Sequence, residues 1–174
     1  MPTAQPGLYP DGVDHVDRVV EQWGRQRPDL DVSPMGVIGR LTRLTGFVRA
    51  QLGETFRAHD LDSPTFDVLA TLRRNEGPLT PKELTASSMV SSGAITQRLD
   101  RLESLGLVVR KPSDTDGRSL RVELTEAGLA LVDRVLPDHL ATERRILSSL
   151  TAEQQDELAM LLRILLESLG DTVD

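Results

Sequence analysis

The 174-residue sequence contains no cysteine. Structural disulfides, thiolate metal sites, cysteine nucleophiles and cysteine-based redox sensing are therefore all excluded. Histidine is scarce, and His15, His59 and His139 fall in three separate helical stretches. A histidine metal sensor would have to assemble them in space. The sequence has neither a phosphate-cradling glycine loop nor a Gly-x-Ser-x-Gly turn, so it offers little for an enzyme and implies no cofactor or metal. No apolar run approaches the length of a membrane span. The first thirty residues lack the basic-then-apolar order of a signal peptide, which makes a cytoplasmic location the default expectation. Aromatic residues make up only 3% of the chain.

What is present is aliphatic and helix-forming. Hydrophobic residues make up 39% of the sequence, enough for a sizeable core, and they are mostly Leu, Val, Ala and Ile. The formal net charge of −7 is unevenly spread: −2 over residues 1–80, +2 over 81–121 and −7 over 122–174. The middle segment is the one basic island in an acidic chain.

Residues 1–12, rich in Pro and Gly, read as a tail. A helix is expected from Val13 to Gln26, with Val16, Val19, Val20 and Trp23 on one face. Ser33-Pro34 opens a long helix to His59, in which Val37, Ile38, Leu41, Leu44, Val48, Leu52 and Phe56 form a stripe expected to be buried. Ser63-Pro64 opens another over Thr65–Asn75, with Phe66, Leu69 and Leu72 facing inward. Thr80 and Glu83 have capping-box spacing and predict a short helix from Pro81 to Ala86. A further helix begins at Ser91-Ser92 and ends near Leu105, where Gly106 supplies a left-handed stop.

Two short helices with a tight connection make a helix-turn-helix. It is followed by a hairpin: Leu107–Lys111, the turn Asp114–Gly117, and an alternating strand Ser119–Leu124. Thr125 caps a helix to Leu150, bent or broken near Pro137, and Thr151 with Gln154 caps the last helix, which ends before Gly170. The fold class is mainly α with a small β-hairpin wing.

An α-helix fits the major groove of B-DNA. In the helix ending at Leu105, Ile95, Leu99 and Leu102 share one side. The other side presents Gly93, Thr96, Gln97 and Arg101, with Ser91 and Ser92 at its start. Gln can bond adenine, Thr can touch thymine methyl, and Gly permits close approach. The same polar face would also suit plain solvation. Beyond it, Asp116-Gly117-Arg118 puts an arginine just past a tight turn, shaped to enter a minor groove, with Asp116 orienting the guanidinium. Arg110, Lys111 and Arg121 stand on the strands at phosphate-binding positions.

Residues 96–128, TQRLDRLESLGLVVRKPSDTDGRSLRVELTEAG, resemble the signature of the MarR family of bacterial regulators. The likeness includes Asp116 and Arg118 at the wing tip, the Gly-Leu-Val run leading into the wing and the Leu-Thr-x-x-Gly run leaving it. It implies a sequence-specific DNA-binding transcriptional regulator, a repressor in the commoner family behaviour, acting as a homodimer on a palindromic operator of double-stranded DNA. It also implies a winged helix-turn-helix lobe over 63–124 and a dimerisation lobe made from 13–62 and 125–174. Leu158, Leu161, Leu162, Leu165 and Leu169 in the last helix independently offer more apolar surface than one small lobe needs. The rival class is a helical protein-interaction module on the same fold.

Trp23 and Arg27 in the first helix, with Asp67, Arg98 and Arg110, further resemble the constellation of the urate-responsive HucR/PecS-like branch. That resemblance implies a small anionic effector, such as urate, that attenuates DNA binding. On the helical wheel Arg98 lies beside the buried stripe and needs an acidic partner. Asp67 is one candidate, and Asp62 and Glu76 remain open.

Overall fold

The computed structural model describes residues 12–89, 95–112 and 120–172. Polar side chains that cap helix ends set most of its boundaries. The chain divides into two compact units, one up to Arg49 and one from Ala50.

The first unit holds α1 (His15–Gln26) and most of α2 (Pro34–Arg57). Asp14 caps α1, accepting from the amides of Val16 and Asp17, while the Asp17 carboxylate returns a bond to the Asp14 amide. Arg40 on α2 reaches both acids, with Nε 2.8 Å from Asp14 and Nη2 2.6 Å from Asp17. Close contact is possible because residue 39 is glycine: a Cβ there would stand 3.0 Å from Val16 Cγ1. Val16 is the buried residue of α1.

The expected burial of the α2 stripe is not met. Val37, Ile38 and Leu44 are 57%, 60% and 48% exposed, and Phe56 is the one fully buried member of the helix. A single helix laid on another leaves most of a wide apolar face uncovered.

In the second unit, α3 (Ser63–Arg74), α4 (Pro81–Ser87), α5 (Ile95–Ser104) and α6 (Glu126–Ile146) surround a core with the hairpin β1 (Val108–Pro112) and β2 (Leu120–Leu124). Leu69, Leu84, Leu99, Leu102, Val122 and Val132 are among its fully buried side chains. Phe56 stacks on Phe66 at 4.6 Å, and His139 lies 5.0 Å from Phe66. The strands pair antiparallel with Val108 opposite Leu124 and Arg110 opposite Val122. Leu79 adds a bridge by exchanging both backbone bonds with Val122.

Several boundaries differ from expectation. The α3 cap is Asp62, not Ser63, and its side chain accepts from the Thr65 amide at 2.8 Å. α2 ends at Arg57 because Asp60 takes a left-handed backbone (φ 59), and the Leu61 amide closes on the Phe56 carbonyl. That is the Schellman stop that Gly106 (φ 67) supplies to α5. α6 runs unbroken across Pro137 and stops at Ile146, short of the expected Leu150. Proline removes one intrahelical bond, and burial of Val132, Val135 and Thr142 anchors the helix on both sides of it. α7 (Ala152–Ser168) opens on the expected Thr151–Gln154 capping box and contains no buried residue.

Candidate nucleic-acid interface

The helix-turn-helix is α4 and α5. Thr80 and Glu83 form the capping box of α4. On α5, Ile95, Leu99 and Leu102 are at most 2% exposed, which fixes the rotation of the helix. Thr96, Gln97 and Arg101 therefore face solvent, and Arg98 is half-buried beside the stripe. Ser91, Ser92 and Gly93, with Asp116 and Arg118 of the wing tip, lie outside the described residues.

One face of α3 holds the segment leading into α5. Asp67 Oδ2 accepts the Met89 amide at 2.9 Å, the Ser88 hydroxyl bonds Thr71 Oγ1 at 3.5 Å, and Arg74 donates to the Ser87 carbonyl. Positions 67, 71 and 74 are successive turns of one helix face, and they bind three consecutive residues. Asp67 is thus engaged with backbone, and among the described residues no ion pair joins it to Arg98. The acid that feels Arg98 is Asp62. Burial pushes its carboxyl up, but the bonds from Thr65 and the charges of Arg98 and Arg101 outweigh this and hold it below the usual value.

The wing cations are also engaged. Arg110 pairs with Asp100 at 2.6 Å and Glu103 at 3.2 Å, both on α5. Lys111 pairs with Glu123 across the hairpin, and Arg121 donates to the Pro78 carbonyl at 2.7 Å. In the first unit Trp23 is 46% exposed. Arg27 grips Asp29 through two bonds of 2.8 and 2.6 Å.

The wing is tied to α6 through the Leu-Thr-x-x-Gly run. Thr125 Oγ1 donates to the Gly106 carbonyl at 2.7 Å and accepts the Gly128 amide at 3.1 Å, while the Thr125 amide bonds the Leu107 carbonyl at 3.1 Å.

Sequence reasoning missed Asp100, Glu103 and the Ser87–Met89 anchor. A signal for the first two was available: Asp100 and Glu103 are three apart on a helix, on a flank shared by neither the apolar stripe nor the basic residues. The anchor has no such signal, because two of the three groups held on residues 87–89 are backbone.

The family model described as MarR family matches residues 59–119. The transcriptional regulator PecS of Dickeya dadantii is 41% identical over 149 residues, covering 84% of this chain and 90% of PecS. The chain belongs to the MarR family. Similarity to PecS over most of both sequences supports the PecS-like branch. The MarR-family regulator AbsC of Streptomyces coelicolor superposes with a TM-score of 0.75 at 26% identity, covering 82% of this chain and 98% of AbsC. A second MarR-family regulator from that organism, solved in complex with DNA, shares the fold with a TM-score of 0.74 at 24% identity, over 81% of this chain and 94% of its own. This MarR-family protein is a DNA-binding transcriptional regulator and not an enzyme. No helix among the described residues is long and apolar enough to cross a membrane.

Proposed function

We propose that the protein is a homodimeric repressor that reads a palindromic operator and releases it when a small anion such as urate binds. The observation that carries the DNA reading is the split character of α5, with Ile95, Leu99 and Leu102 buried and Thr96, Gln97 and Arg101 turned outward. In this reading Thr96 and Gln97, with Ser91, Ser92 and Gly93, meet base edges, Arg101 approaches phosphate, and Arg118, oriented by Asp116, enters the minor groove. The relative solved with DNA carries the same fold.

Homodimerisation accounts for the uncovered apolar surface. Val37, Ile38 and Phe47 on α2, Leu161, Ile164 and Leu166 on α7, and Leu169 at its C-cap are each at least half exposed. A surface of this kind in a soluble monomer marks an interface. The reading lobe is then 63–124, and the dimerisation lobe is 13–62 with 125–174. A twofold axis would present two copies of α5 to two half-sites.

The effector reading rests on the PecS-like branch and on Arg98, a half-buried cation that has no ion pair within 4.0 Å among the described residues. An anion drawn to Arg98 would compete with Asp62 for its field and bias the position of α5.

Selection of bound duplexes from a random pool tests the first part. Half-site symmetry is expected, and asymmetric or sequence-independent recovery refutes it. Sedimentation of Leu161→Glu should show a shift toward monomer together with weaker operator binding. Calorimetry with urate should show binding, and operator affinity should fall in its presence. No heat and an unchanged affinity would dispose of the effector.

A further inference from the structure

We propose that Arg110 is a positioning residue: it clamps the wing strand to the recognition helix through Asp100 and Glu103, and it does not contact DNA phosphate or the effector. Three contacts converge on it. Its Nη2 lies 2.6 Å from Asp100 Oδ1, its Nη1 lies 3.2 Å from Glu103 Oε2, and its own amide donates to Glu103 Oε1 at 3.3 Å. The side chain is only 21% exposed, whereas Asp100 and Glu103 are 60% and 40% exposed.

The strand side of the clamp is rigid. Arg110 sits opposite Val122, which is fully buried and bonded in turn to Leu79. The helix side lies next to the reading face, since Asp100 is four residues after Thr96 and three after Gln97. Among the described residues α5 rests on three buried side chains, Ile95, Leu99 and Leu102. Aliphatic contacts are non-directional and set which face of the helix is buried, whereas a planar guanidinium held by two carboxylates adds a preferred geometry. Arg110 is also two residues before Pro112, where β1 ends, so the clamp fixes the angle at which the wing leaves the helix.

Charge argues against a phosphate contact. Two carboxylates already flank one guanidinium, so the three-group cluster has a negative formal charge, and its more exposed members are the two acids.

The two roles give opposite signs in one experiment. Replacing both acids, Asp100→Asn with Glu103→Gln, removes negative charge beside the DNA and frees Arg110. If Arg110 bound phosphate, affinity for the selected operator would rise. As a clamp, it loses its hold, and operator affinity is expected to fall by about tenfold, in the range found for coupled neighbours. A rise or no change overturns the proposal.

The salt dependence supplies a second readout. Each phosphate contact contributes about 0.9 to the slope of log affinity against log salt. Arg110→Gln is expected to weaken binding with the slope unchanged, and a slope reduced by about 0.9 per subunit overturns the proposal. Should the double variant fail to fold, Arg110→Lys decides. It keeps the charge but loses the fork, so weakened operator binding at unchanged slope supports the clamp and wild-type binding overturns it.

Discussion

The backbone oxygen of Leu107 occupies the place where a side chain on Gly128 would begin. A Cβ built on residue 128 would stand 2.0 Å from that oxygen, far inside contact distance. The Thr125 bonds to Gly106 and Gly128 hold the first turn of α6 this close to the start of the wing. Gly128→Ala must push the two apart, and a loss of about 1–3 kcal/mol is expected in urea melts. Gly24→Ala on α1, with nothing within 4 Å, should be neutral or stabilising by up to about 1 kcal/mol.

Asp67 should be felt at the turn of the reading head before anywhere else. Asp67→Ala leaves the Met89 amide without its acceptor, and faster hydrogen exchange at that amide and weaker operator binding are expected. Asp67→Asn keeps an acceptor oxygen and should recover most of both. If Ala and Asn behave alike, the carboxylate acts through charge and the anchor is unimportant.

The docking of α1 should weaken in acid. The Asp14 carboxyl is held below its ordinary value of 3.8 first by the Asp17 amide; desolvation opposes this, and the bonds from Arg40 and Val16 tip the balance downward. A depressed folded-state pKa contributes stability that is fully present above 3.8 and lost as pH falls through the lower folded value. Trp23, the only tryptophan, sits on the same helix and gives the fluorescence signal. Arg40→Gln should move the acid transition of that signal upward toward 3.8.

Asp60 bears a backbone conformation that suits glycine better. Its φ of 59 lies in the left-handed region, where a Cβ costs about 1 kcal/mol. Asp60→Gly should therefore raise the melting midpoint. A lower midpoint would mean that the Asp60 side chain contributes more than its strain costs.

That residue also shows where the sequence stops being legible. Gly106 announces the end of α5, but aspartate at position 60 carries no such announcement, and the apolar repeat invites the helix on to His59. Capping boxes at Thr80 and Thr151 are readable because both partners are local. The Asp62 cap was hidden by Ser63-Pro64, a stronger-looking start one residue later. In the reading head the buried side of α5 follows from Ile95, Leu99 and Leu102 alone. The role of Arg110 does not, because it depends on acids on another element that only the folded register brings within reach. The α2 stripe misled for a related reason: periodicity shows that a face wants cover, and it does not say whether the same chain provides it.

The engagement of Arg110 and Lys111 with Glu103, Asp100 and Glu123 changes what the basic island can offer to a duplex. Counting residues credits that segment with a surplus of +2 that already subtracts Asp100 and Glu103, and Glu123, from outside the segment, engages a further cation, Lys111. Weak grip on arbitrary sequence follows, since such grip comes from counterion release at phosphates. The search for a site should then proceed by frequent short landings with little sliding, and discrimination between right and wrong sites should be set mainly by how long the protein stays.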